Sequence, residues 1–169
     1  MKTEFITELQ KVQRTKMGHL IEYLVDEGFF KQTCSTKHHL SCKGGLALHS
    51  WNVFKLLKEK NKRYKLGLSE ETVIVTALLH DICKLHSYKL EDGKYVWNND
   101  SIPIGHGEKS VIMIQRFIRL TDQEICMIRW HMGPFETNLR ELNSAKNLYP
   151  EIVALFTSDY ESTIFLEKD

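Results

Sequence analysis

At 169 residues, 42% apolar and 27% charged, the chain is long enough to bury one real hydrophobic core and has an ordinary globular balance. Its formal charge of +1, from 23 Lys and Arg against 22 Asp and Glu, argues against a broad sequence-independent nucleic-acid surface. No apolar run approaches the roughly 18 residues of a membrane span, and residues 1–8 lack the apolar core of a secretory signal, so a cytoplasmic protein is expected.

Residues 3–26 predict one amphipathic helix, with Phe5, Ile6, Leu9, Val12, Leu20, Ile21, Leu24 and Val25 near helical spacing and Gly28 as the stop. Phe29-Phe30 anchors a short turn. Gly44-Gly45 interrupts regularity and permits close backbone approach. A helix then runs to about Lys62, its apolar positions including Leu46, Leu48, Val53, Leu56 and Leu57. His49 lies in its first turns, where a solitary His reads as a packed core residue.

Ser69 followed by Glu70-Glu71 is an N-cap with acids in the first turn. The helix it opens extends to about Ile82 and is apolar all round over 73–79, the mark of a buried helix. It ends in His80-Asp81. A carboxylate buried there without a partner is costly, and a metal ion is the obvious partner. Cys83 has apolar neighbours and reads as packing. With Cys34, Cys42 and Cys126 it forms no C-x-x-C pair, so reduced thiols are expected.

Over 87–97, Tyr88, Leu90, Tyr95 and Trp97 alternate around Asp92-Gly93, predicting a two-stranded hairpin between helices. It needs other packing to be stable, since isolated hairpins are marginal. Gly105-His106-Gly107 opens a helix to about Arg119. Thr121-Asp122-Gln123-Glu124 is a capping box whose helix ends at His131, before Gly133-Pro134. The last helix starts near Pro150 and carries Asp159 in its middle. The chain thus reads as all-α with a small β-hairpin insertion near 86–97. It is expected to be a single domain over 1–169, with the N-terminal helix (3–27) packing on a core of 36–166.

His49, His80, Asp81, His106, His131 and Asp159 come from separate helices or helix ends, apart from the adjacent pair. Four imidazoles and two carboxylates suit zinc, iron, manganese, cobalt or nickel better than calcium or an all-oxygen magnesium site. Six donors exceed the needs of one catalytic ion and suit two ions sharing a carboxylate. Lys84 stands one turn after the His-Asp pair.

The order H…HD…H…H…D, with Gly44-Gly45-Leu46-x-x-His49, Leu78-Leu79-His80-Asp81-Ile82-x-Lys84 and Gly105-His106, resembles the HD superfamily of metal-dependent phosphohydrolases over about residues 36–160. It looks most like stand-alone HD hydrolases and the HD domain of bacterial 3′-to-5′ exoribonucleases. The resemblance implies an HD-domain helical bundle. It assigns His49, His80, Asp81 and Asp159 to one ion, with Asp81 bridging to a second held by His106 and His131. The implied cofactors are two divalent transition metal ions (Mn, Fe, Co, Ni or Zn, with Mg a further option). The implied reaction is hydrolysis of a phosphomonoester or phosphodiester, of a nucleotide or related small molecule, by a metal-activated water.

Asp81 and Lys84 are the expected catalytic residues, with Lys84, Arg129 and Lys109 on the substrate phosphate. Glu108 reads as a first-turn acid favoured by the helix dipole rather than as a general acid. The expected partner is a small phosphorylated molecule, a nucleotide first; extended nucleic acid is less favoured and a membrane is not expected. Three departures from the family pattern stand out: Cys83 where a small residue is usual, no adjacent His-His pair at 131, and none of the accessory nucleic-acid domain that the exoribonucleases carry, which weighs against RNA degradation. Two other readings stay open, an HD-type di-iron oxygenase using the same six ligands and a nucleotide-sensing module with little turnover. His38, His39 and His86 are outer candidates.

Overall fold

The computed structural model describes residues 1–37, 40–136 and 138–167. His38 and His39 lie outside the described residues. The fold is helical with one small two-stranded sheet, the expected class.

The N-terminal segment is two helices, α1 (Lys2–Gln10) and α2 (Met17–Asp26), and not the single helix its periodicity predicts. Phe5, Leu9, Val12, Leu20 and Leu24 are still buried, while Ile6 and Ile21 are half-buried and Val25 is exposed. The break falls where Gln13-Arg14-Thr15-Lys16 interrupts the apolar series, and Lys16 takes a left-handed φ of 66°. It turns Arg14 inward. The Arg14 guanidinium meets Glu124 at 2.7 Å and Glu71 at 3.2 Å. Glu124 also closes the capping box with Thr121 and accepts from the Thr72 hydroxyl at 3.0 Å.

This network has a pH signature. Burial acts to raise the Glu124 carboxyl, but Arg14, the Thr121 N–H and Thr72 outweigh it and hold the group below its ordinary value of 4.5. A depressed carboxylate stabilises the fold fully above its unfolded value and loses that contribution as pH falls through the folded one. Arg14→Gln should therefore lower the melting temperature at pH 7 by about 10 °C. The gap from wild type should shrink below a pH of roughly 4. A gap that stays constant down to pH 3 in paired thermal melts contradicts this assignment.

The long helix α3 (Gly45–Tyr64) packs on α4 (Glu70–Leu79) and on α9 (Ile152–Glu161). Leu46, Val53, Ile74, Leu78 and Leu155 bury completely between them. Ser69 caps α4 by accepting from the Thr72 N–H at 3.0 Å. The helix stops at Leu79 and not Ile82. Its backbone tightens there, with N–H bonds from Ile82 to Leu79 and from Lys84 to Asp81 at 3.1 and 3.0 Å, before the short α5 (Lys84–Ser87).

Strands β1 (Tyr88–Glu91) and β2 (Lys94–Trp97) pair antiparallel, with Tyr88 opposite Trp97. Asp92 and Gly93 both take positive φ, 47° and 76°, as a type I′ hairpin turn requires. An isolated hairpin is marginal; this one is tied down by Tyr95 Oη donating to Lys31 O at 3.1 Å.

Helices α6 (His106–Gln115) and α7 (Asp122–Arg129) form a packed pair. Helix α8 (Leu139–Leu148) was not legible from the apolar pattern, because it buries only Leu142 and Ala145. Its start is marked by Asn138, which accepts from the Glu141 N–H at 3.2 Å. A π-helical turn, Ser162–Leu166, follows α9 and carries Glu167 back to α3. Among the described residues, no helix is long and apolar enough to cross a membrane.

Candidate metal centre

His49 enters from the second turn of α3. Its helix can start there because Gly45 has no side chain: a Cβ at that position would lie 2.1 Å from the Leu40 carbonyl oxygen. His80 and Asp81 come from the tightened turn after α4, His106 from the first residue of α6, His131 from just beyond α7, and Asp159 from α9.

The rings are aimed by their outer nitrogens. His80 Nδ1 donates to Ala77 O at 2.9 Å, and His131 Nδ1 to Ile128 O at 2.6 Å. His49 Nδ1 lies 3.0 Å from Glu167 Oε1. Each outer nitrogen faces an acceptor and so carries the hydrogen, which leaves the Nε2 lone pair pointing inward. Glu167 is itself held, by Asn52 Nδ2 at 3.3 Å and by a short hydrogen bond from Ser162 Oγ.

The inner atoms crowd together. His49 Nε2 is 3.3 Å from His80 Nε2 and 3.2 Å from Asp159 Oδ1. His106 Nε2 is 3.1 Å from His131 Nε2. Asp81 Oδ2 is 3.5 Å from His80 Nε2 and 3.7 Å from His49 Nε2, while Oδ1 is 3.6 Å from His131 Nε2. His49, His80 and Asp159 offer donor atoms within 4.8 Å of one another, and so do His80, Asp81 and His131. Two imidazole lone pairs at such distances repel unless a cation lies between them. Asp81 Oδ1 is buried and accepts no hydrogen bond among the described residues, an arrangement that is costly without a positive partner. The donor set therefore fits divalent transition metals.

The carboxylates draw positive charge into the cluster: burial disfavours a charged His49, yet Cys34, Asp159 and Glu167 keep it well above its ordinary value, so an ion binding there displaces a proton. Burial opposes ionisation of Asp81, but Lys84 and His80 hold its carboxyl well below the usual range. Burial and the neighbouring His131 push His106 down to about 4, so its lone pair is free at neutral pH. Lys84 is half-buried, and Asp81, at 2.7 Å from Nζ, keeps its ammonium charged.

The centre opens into a cavity of about 350 Å³, bordered by Asp81, Lys84, His106, His131 and Asp159 and by several aromatic rings. Arg129 and Lys109, expected on the substrate phosphate, do not border it. Arg129 is engaged by Glu108 at 2.6 Å and Glu136 at 3.1 Å and lies over the Trp130 ring. Lys109 points back to the preceding loop and donates to Ser101 Oγ at 2.6 Å. Glu108 is the partner of Arg129 and not a group in the cavity. His86 accepts or donates at Tyr23 Oη, 2.7 Å away, outside the cluster.

Two residues at the centre had no signal in the sequence. Glu167 orients His49 from a turn that no periodicity announces. Cys34 lies 3.5 Å from Lys84 Nζ and within ligand distance of His49 and Asp81. Cys83, by contrast, is fully buried, and burial pushes its thiol up to about 12, in keeping with a packing role.

Gly107 sets the second half of the cluster. A Cβ there would meet Arg129 O at 2.4 Å, so the bare backbone lets α6 approach α7 and brings His106 to His131. Gly107→Ala should drive these helices apart. The expected result is loss of about half the bound metal, measured by elemental analysis, with the helical circular dichroism retained. Unchanged metal content contradicts it.

The family model of the HD domain matches residues 46–161. No curated protein and no solved structure matches the chain.

Proposed function

Since this chain belongs to the HD domain family, we propose that it hydrolyses a phosphomonoester or phosphodiester of a nucleotide or related small molecule. HD domains are typically metal-dependent hydrolases and bind divalent metals. The observation that carries the reading is Asp81, a buried carboxylate with one oxygen on Lys84 and the other without a hydrogen-bond partner, among four imidazoles turned inward.

His49, His80, Asp81, His106, His131 and Asp159 would hold two divalent ions. Ions held by this set would supply Lewis-acid polarisation of a phosphoryl oxygen and a water acidic enough to attack phosphorus. The protein supplies the rest. Backbone carbonyls and Glu167 fix the rings, so little reorganisation is needed when substrate arrives. The Lys84 ammonium faces the cavity and offsets phosphate charge. Asp81 holds that ammonium in place. The aromatic border limits water around the reacting phosphate.

The test is a screen of nucleotides and simple phosphodiesters, under anaerobic conditions, with Mn²⁺, Fe²⁺, Co²⁺, Ni²⁺, Zn²⁺ and Mg²⁺ in turn. Release of phosphate or of a nucleoside monophosphate is expected with at least one transition metal. Oxygen uptake without anaerobic release points to oxygenase chemistry, and tight nucleotide binding without product points to a sensing module.

A further inference from the structure

Two groups of aromatic rings border the cavity without serving the core or the ligand set. On the hairpin, Tyr88 and Trp97 face each other across the ladder with ring centroids 5.7 Å apart, edge to face. From the C-terminal half come Phe135, Phe156 and Tyr160, whose centroids are 6.0–6.3 Å apart. The Phe156 ring is seated on the backbone at Gly133, where a Cβ would lie 2.6 Å from it. Both groups border the cavity that holds Asp81, Lys84 and Asp159, and among the described residues no ring contact joins them. Trp97, Phe135 and Tyr160 are 55%, 65% and 48% exposed. That is much apolar area to leave in water beside a polar centre.

Charge and size narrow the ligand. Among the described residues bordering the cavity, Lys84 is the one Lys or Arg, and its charge is already shared with Asp81. The volume of about 350 Å³ is near the lower end of the roughly 300–1,000 Å³ usual for ligand sites. It suits one nucleotide unit better than a chain of them.

Resting on the phosphohydrolase reading above, we propose that the substrate is a nucleoside monophosphate. Its base lies between Trp97 of the hairpin and the Phe135–Tyr160 wall, and its single phosphate meets Lys84 and the ligand cluster. Stacking recognises any base, because every base has a π-face, and it gives nothing to a bare sugar phosphate. A second or third phosphate reaching away from the ions and Lys84 meets aromatic rings, with no other Lys or Arg among the described residues bordering the cavity. In the reaction a water oxygen bonds to phosphorus as the ester P–O bond breaks. The departing nucleoside oxygen takes a proton, leaving a nucleoside and inorganic phosphate. Trp97 is a specificity determinant in this scheme and touches the base, not the reacting atoms.

The test uses the full chain loaded with Mn²⁺, as wild type, Trp97→Ala and Trp97→Phe. Values of kcat/KM are measured for AMP, UMP, ADP and ribose 5-phosphate, and calorimetry follows binding of AMP and ribose 5-phosphate. Both monophosphates should be preferred over ADP and over ribose 5-phosphate. Trp97→Ala should lower the AMP to ribose 5-phosphate ratio at least about tenfold, mainly through KM, and Trp97→Phe should restore most of it. Equal turnover of AMP and ribose 5-phosphate, or an equal loss for both in Trp97→Ala, overturns the proposal. If nothing is turned over, AMP binding that Trp97→Ala removes still supports the aromatic jaw and sinks the hydrolase reading instead. Absence of AMP binding overturns the jaw itself.

Discussion

Asp81→Asn should reduce turnover by on the order of 10³-fold and lower the metal content of the purified protein. Asparagine keeps the shape but removes the negative charge that both ions would share. Loss of several kcal/mol of charge stabilisation in the transition state corresponds to that factor. The substitution also strands Lys84, half-buried with its Nζ 2.7 Å from Asp81 Oδ2. An ammonium largely withdrawn from water with no carboxylate beside it is costly, so the variant should melt earlier than wild type even when both are stripped of metal. Those two readouts separate the roles: metal content follows the ligand function, and the metal-free melt follows the ion pair. An Asp81→Asn protein that retains wild-type phosphate release sinks the site assignment.

The second large effect is expected at Glu167, which borders no substrate. Its carboxylate lies 3.0 Å from His49 Nδ1 and is anchored by Asn52 and Ser162. Burial works against its ionisation, but His49, Ser162 and Asn52 hold it below the ordinary carboxylate range, so it faces His49 as an anion. Such a partner fixes the tautomer and raises the basicity of the inner nitrogen. Glu167→Ala should therefore weaken metal binding about 10–100-fold. Glu167→Gln, which still accepts a hydrogen bond through its amide oxygen, should lose less. The measurement is a competition titration against a chromophoric chelator. If both variants bind metal as wild type does, His49 is aimed by the packing of α3 alone.

How much of this was legible beforehand differs by element. The cap at Ser69, the capping box at Thr121 and the Asp92-Gly93 turn are local signals with local causes, and the structure carries each at its expected position. The all-round apolar run of α4 announced burial, and α4 is buried along 72–79. Its end was overrun, because the apolar series continues through Ile82 while the backbone tightens at His80. The N-terminal helices read as one for a different reason: the apolar positions resume after the polar stretch 13–16, where Arg14 reaches two distant acids. Helix α8 escaped notice since most of its surface faces water.

At the centre, the six proposed ligands stood out as residue types in a familiar order, and the structure brings their side chains together. What they need from their surroundings did not stand out. Glu167 follows a π-helical turn, and Cys34 precedes an irregular loop; neither position has a period to betray it. Arg129 and Lys109 illustrate the converse. A basic residue near a ligand in sequence was expected to face the phosphate, but Glu108, Glu136 and Ser101 engage these side chains first.

Elemental analysis of the purified chain, loaded anaerobically with Mn²⁺ or Fe²⁺ and freed of loose ions, addresses the central claim most directly. A dinuclear centre organised by Asp81 predicts about two ions per chain in wild type and a clear loss in Asp81→Asn. A wild-type chain that retains no transition metal under these conditions contradicts the account.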